Sequence, residues 1–153
     1  VIGTGWWVWP LLLGLLPLLL ALLALWLLYG ALLLLLVWMV WLPRGRDVLV
    51  VYSNSPVWQR YFEEQVLPVL ASRCVVLNWS ERQRWRFSMP VLLFRCFGGE
   101  REFNPLAVVF QPFRWPRRFR FYKPFKAFKH GRPEEVERLR GELFELLDAI
   151  APR

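Results

Sequence analysis

Polar and apolar positions divide this chain at Pro43. From Trp6 to Leu42 run 37 residues with nothing more polar than Gly, Pro and Tyr, and residues 1–43 hold no Asp, Glu, Lys, Arg or His. A bilayer crossing needs about 20 apolar residues, so the pattern predicts membrane insertion. A buried helix of a soluble protein would be shorter and would carry a polar stripe. A cleaved signal peptide would show a basic start, a shorter apolar run and a small-residue cleavage site; none of the three is clear here.

As one helix the run would be about 55 Å long against a hydrocarbon core of about 30 Å. The favoured reading is a single crossing from about Leu18 to Val40. It puts Trp6, Trp7 and Trp9 in one aromatic belt and Trp38 and Trp41 in the other. Pro10, Gly14 and Pro17 then kink or break an interfacial lead-in. In the rival reading the segment is a hairpin turning near Tyr29-Gly30, with Trp26 and Tyr29 at the far surface; its second arm, Ala31–Leu42, spans only about 18 Å. Arg44 and Arg46 follow the stop at Pro43, and by the positive-inside rule they place the rest of the chain in the cytoplasm.

Beyond the anchor the pattern alternates between strand and helix. Val48–Tyr52 is a short, largely β-branched run, read as a buried central strand. Ser53-Asn54-Ser55-Pro56 is a turn with Ser55 suited to an N-cap and Pro56 to the first helical position. Trp58, Tyr61, Phe62 and Val66 continue it as a helix that Pro68 should end or kink. Cys74–Trp79 reads as a second strand, completing a βαβ unit. Arg82, Arg84, Arg86 and the apolar Val91–Phe97 read as a helix confined by Pro90 and Gly98-Gly99. Leu106–Phe110 and Phe119–Tyr122 read as an antiparallel hairpin joined by Gln111–Arg118. From Pro133, a helix carries Val136, Leu139, Leu143, Leu146, Leu147 and Ile150 on one stripe.

Composition sharpens the division. All 20 Lys+Arg and all 12 Asp+Glu fall in residues 44–153, so the net charge of +8 belongs to that segment alone. At about 110 residues it is one domain with one modest core. The organisation expected is therefore an anchor, 1–43, and a basic soluble domain, 44–153.

The order β-α-β, a variable helix, then β-β-α resembles the thioredoxin-like fold over about Asp47 to Ile150. The resemblance rests on the turn Ser53–Gln59 after the first strand, on Asn104-Pro105 directly before a strand, and on the Gly131 turn into the last helix. It implies a redox Cys pair at the first position and a cis-proline at the second. The chain departs from it at the first: dithiol chemistry needs two thiols together at a helix start, and Ser55, Pro56, Val57 and Trp58 stand there. Cys74 and Cys96 lie elsewhere and read as small buried apolar residues, so oxidoreductase activity is disfavoured.

Other chemistry is sparse. His130 is the sole histidine, in a basic turn, and with two separated cysteines it cannot build a His/Cys metal site. Glu134 and Glu135 in a first helical turn are ordinary dipole complements. There is no P-loop, dinucleotide fingerprint or nucleophile elbow, and an anchor without His lacks the simplest ligand for haem or chlorophyll. No catalytic residue, metal or cofactor is assigned. Asn78-Trp79-Ser80 matches a glycosylation acceptor, which on a cytoplasmic strand reads as chance.

The distinctive segment is Phe113–Lys129, with seven Lys or Arg, seven aromatics and no acid. Arg114, Trp115, Arg117, Arg118, Arg120, Lys123, Lys126 and Lys129 are its candidate partner- or lipid-binding residues. It reads as a cationic solvated strand face, as a surface for anionic lipid headgroups, or as an interface to other integral membrane subunits; nucleic acid fits a tethered domain least. The leading expectation is a non-catalytic accessory or assembly subunit of a membrane complex. The alternatives are a tethered enzyme binding an anion at Ser53, Asn54 and Ser55, or a lipid- or nucleic-acid-binding module.

Overall fold

The computed structural model describes residues 8–99 and 101–150, with side chains from residue 13 onward. The chain divides into two compact units, Val1–Leu35 and Leu36–Arg153. In the first, the described residues are helical. Helix α1 spans Val8–Leu36, and the helical run Leu13–Arg44, 32 residues whose mean hydropathy reaches 2.7 over an 18-residue window, is long and apolar enough to cross a membrane. Tyr29 and Gly30 are both helical, so the hairpin turn is not formed. Pro17 lies inside α1 rather than ending it; one missing hydrogen bond does not stop a helix otherwise built of Leu and Ala, the strongest helix formers.

The second unit begins within the apolar run. Val37–Trp41 form a π-turn and Leu42–Arg44 a 3-10 turn. Gly45 then takes the left-handed conformation, φ 70°, with its N–H donating to the Leu42 carbonyl at 3.0 Å, the usual way a helix is ended by glycine. Val37 and Trp41 are buried, Trp41 edge-on to Phe110 at 6.0 Å. The boundary therefore falls before Pro43, because the last apolar turns pack with the domain.

A four-stranded mixed sheet in the order β2-β1-β3-β4 organises the rest: β1 Val48–Tyr52, β2 Cys74–Asn78, β3 Leu106–Val109 and β4 Arg117–Arg120. β1 pairs parallel with β2 (Val48↔Cys74) and antiparallel with β3 (Val48↔Val109), and β3 pairs antiparallel with β4 (Val109↔Arg117). Every residue of β1 and β3 is buried, as the near-continuous apolar runs require of central strands covered on both faces. The peptide Asn104–Pro105, directly before β3, is cis.

Val48, Val50, Ala107, Val109 and Phe119 on one face pack with the turn that follows α2 (Pro56–Tyr61), with α5 Tyr122–Phe128 and the residue before it, and with α6 Glu134–Ile150, chiefly through Phe62, Phe121, Phe125, Val136, Leu143 and Leu147. Beyond the other face, α4 Met89–Leu93 and its π-turn Phe94–Gly98 contact β2 and β3. The apolar stripe of the last helix is thus confirmed, with Leu139, Leu146 and Ile150 partly buried beside its core members.

Three local expectations need correction. The helix after Pro56, expected to end or kink at Pro68, does not end there: it widens into a π-turn at Phe62–Val66 and continues as α3, Leu67–Leu70. Pro68 has no N–H to direct back along the helix, and the wider turn precedes that gap. The last strand lies at Arg117–Arg120 rather than Phe119–Tyr122. Residues Tyr122–Phe128, read as the end of that strand and as part of its cationic solvated face, form helix α5, with Pro124 in its first turn, where a missing N–H costs little.

Candidate functional site

Strand register settles where the basic aromatic stretch goes. Arg117 pairs with Val109, which pairs with Val48 at the start of β1, whereas Arg120 pairs with Leu106, which pairs with Val51 near its end. Gln111–Pro116 therefore lies at the end of the sheet where β1 begins, and α5 begins at the opposite end. A sequence-continuous patch becomes separate surfaces.

At the far end, Trp58 of α2 faces α5. Its Nε1–H donates to Ser53 Oγ at 3.2 Å, its ring lies 5.9 Å edge-on to Phe125, and the Lys129 ammonium sits 5.3 Å from the ring centroid, within reach of a cation–π attraction. Trp58, Tyr122, Lys126, Lys129 and His130 line an open cavity of about 290 Å³. Lys123 is not part of it and pairs with Glu102 at 3.3 Å.

The turn after β1 is engaged by its own neighbours. Asn78 Nδ2 donates to Asn54 Oδ1 at 2.6 Å, the Ser80 N–H donates to Asn78 Oδ1 at 2.9 Å, and the Asn54 N–H donates to Ser80 Oγ at 3.0 Å. Both amide atoms of the Asn78-Trp79-Ser80 motif are thus hydrogen-bonded within the domain. Ser55 occupies the N-cap position of α2 but makes no side-chain cap bond. Nearby in sequence to β3, the Asn104 Oδ1 atom is buried without a partner.

The cysteines stand apart, Cys74 on β2 and Cys96 in the π-turn after α4, both half-buried and free. Burial pushes both thiols above the ordinary value, which lowers the thiolate fraction that reactivity needs. Among the described residues no three His, Cys, Asp or Glu side chains gather closely enough to hold a metal ion.

At the end where β1 begins, Asp47 and Arg73 form an ion pair that the sequence did not single out. Arg73 Nε donates to Oδ1 at 3.1 Å and its second amino group to Oδ2 at 2.5 Å, while its remaining amino group reaches the Leu147 carbonyl of α6 at 3.2 Å. The hydrogen bond to Asp47 pushes the Arg73 guanidinium further up. The two line an open cavity of about 410 Å³ with Leu42, Gly45, Ser72, Pro112 and Ile150.

On the same end, Trp38 Nε1–H donates to the Gln111 carbonyl at 3.1 Å and the Trp38 ring lies 5.1 Å from Phe113. Trp115 packs edge-on to Phe97 at 5.6 Å. Arg44 folds back onto the Val40 carbonyl at 2.9 Å, and Arg46 is exposed. On edge strand β4, Arg117 and Arg118 are exposed, Arg117 lying 5.5 Å over the Phe119 ring, and Arg120 is half-buried. Of the other interface tryptophans, Trp6 and Trp7 lie outside the described residues, and Trp9 is helical with its side chain outside the description. Compared with known proteins, the chain matches no family model, no curated protein and no solved structure.

Proposed function

We propose that this chain is a non-catalytic accessory or assembly subunit of a larger membrane complex. Its apolar helix anchors it in the bilayer, and its domain, a thioredoxin-like fold without the redox pair, docks on partner subunits at the cytoplasmic face. The observation that carries the reading is the join of a charge-free helix to a sheet whose edge strand β4 presents the exposed Arg117 and Arg118. Arg is enriched where interfaces concentrate their energy, and an edge strand with unpaired backbone groups is a ready pairing surface.

Support for the fold comes from the β2-β1-β3-β4 order, the parallel first pair, the antiparallel second hairpin, the cis Asn104–Pro105 peptide before β3 and the terminal α6. Support for a non-redox role comes from Ser55-Pro56-Val57-Trp58 at the start of α2 and from two separated thiols raised by burial. Arg44 and Arg46, after the last apolar turn, favour a cytoplasmic domain.

The test is gentle detergent extraction of the tagged chain, followed by size analysis and mass spectrometry of what accompanies it. Stoichiometric membrane partners, lost when Arg117 and Arg118 are both changed to Glu, are expected. Purification as a lone, stable monomer would overturn the subunit reading.

A further inference from the structure

The loop Pro112-Phe113-Arg114-Trp115 is not used by the docking surface proposed above, and its side chains are hard to account for in water. Phe113 is 87% exposed and Trp115 54%. Phe113 also holds the left-handed backbone conformation at φ 58°, which L residues other than glycine adopt only under strain. Strained positions cluster where a chain meets a ligand or another functional contact. No acid lies between Phe103 and Pro133, so nothing nearby in the chain offsets Arg114.

What places the loop is its contact with Trp38. The Trp38 indole is bonded to the Gln111 carbonyl and its ring abuts Phe113, so these groups sit at one level. That level is defined by the chain itself: apolar residues end at Leu42, and Arg44 and Arg46 follow. From Trp38 to Arg44 the helical rise is about 9 Å, enough to span one headgroup layer of about 5–8 Å. Tryptophan prefers that layer, and aromatic rings beside cationic side chains are what an interfacial surface combines.

We propose that this loop is a second membrane contact, in the headgroup layer of the bilayer that the apolar helix crosses: Phe113 and Trp115 enter the acyl boundary, and Arg114 meets anionic lipid phosphates. The loop then holds the domain against the membrane in one orientation, leaving the α5 end of the sheet toward water. The inference rests on the membrane-anchor reading and fails with it.

Nitroxide labels at three single cysteines, placed in full-length chain with Cys74→Ala and Cys96→Ala and reconstituted into bilayers containing phosphatidylglycerol, test both. Collision with oxygen reports lipid, and collision with a water-soluble nickel chelate reports solvent. Leu25→Cys, within the apolar helix, tests the anchor. Phe87→Cys, as exposed as Phe113 at 87% but on the segment following the far end of β2, is the solvent control. The proposal expects Leu25→Cys and Phe113→Cys to be lipid-accessible, and Phe87→Cys to be solvent-accessible with the two collision rates reversed. Lipid at position 25 with solvent at 113 overturns the loop contact and leaves the anchor standing. Solvent at 25 overturns both. Lipid at 87 as well overturns the fixed orientation, and a position 113 shielded from both reagents overturns the lipid assignment in favour of a protein cover.

Discussion

Removing one member of the Asp47–Arg73 pair should destabilise the domain unequally, depending on which member is lost. The Asp47 side chain is 9% exposed and that of Arg73 28%. Arg73→Met keeps the apolar stem but deletes both hydrogen bonds to the carboxylate and the one to the Leu147 carbonyl. It leaves a nearly buried carboxylate without its partner, and breaking a buried pair in this way costs about 3–5 kcal/mol. Asp47→Asn leaves a guanidinium that still reaches water and the Leu147 carbonyl, so the loss is that of a charge-assisted bond, about 1.5–3 kcal/mol. The position amplifies the effect: the Asp47 N–H donates to the Arg73 carbonyl at 3.1 Å and the Phe110 N–H donates to the Asp47 carbonyl at 2.8 Å, so β1, β2, β3 and α6 meet here. Urea titration of the full chain in detergent micelles, followed by circular dichroism, measures the losses. The double mutant should lose less than the sum of the singles, by about 1–2 kcal/mol, as directly contacting residues do. An Arg73→Met loss below about 1 kcal/mol, or strictly additive singles, would refute the reasoning.

Phe62→Ala removes a fully buried ring stacked on Tyr52 at 5.8 Å and edge-on to Phe121 at 5.1 Å; the same titration should show a loss of about 3–5 kcal/mol, while Phe113→Ala, at an exposed loop, should stay within about 0.5 kcal/mol in micelles. Tyr61 is pushed up from 10.0 to about 12, first by burial and then by Glu137, against the lowering effect of Arg140. A phenol whose folded value is raised contributes stability that is complete below pH 10 and lost as pH climbs towards 12. Tyr61→Phe should flatten part of that decline, the remainder including Tyr52, raised by burial and by Glu63; an unchanged slope would contradict the assignment. Iodoacetamide should modify Cys74 and Cys96 more slowly in the folded chain than in urea, since burial raises both thiols; equal rates, read by mass spectrometry, would count against it.

The parts of this protein that could be read without coordinates are those whose cause is local. An uncharged run longer than a bilayer crossing needs no partner to be recognised, and α1 follows it. β1 was legible because five apolar, mostly β-branched residues have few alternatives to a buried strand. The amphipathic stripe of α6 declares its own period. Helix α5 was not legible: Tyr-Lys-Pro-Phe-Lys-Ala-Phe has a proline in its first turn and aromatics that suit strands as well as helices, and its helical form depends on Phe125 fitting among Phe62, Phe121 and Tyr61.

The sequence by itself determined the greasy segment, the sign and location of the charge, the two central strands and the last helix. Whether Val37 and Trp41 belong to the apolar helix or to the domain, how one basic stretch is shared between two ends of a sheet, and which arginine meets Asp47 are set by strand register and by residues up to about 75 positions apart. Composition and period record what each residue prefers. Pairing records which preferences can be met at once, and that depends on a three-dimensional closure that no single window of sequence contains.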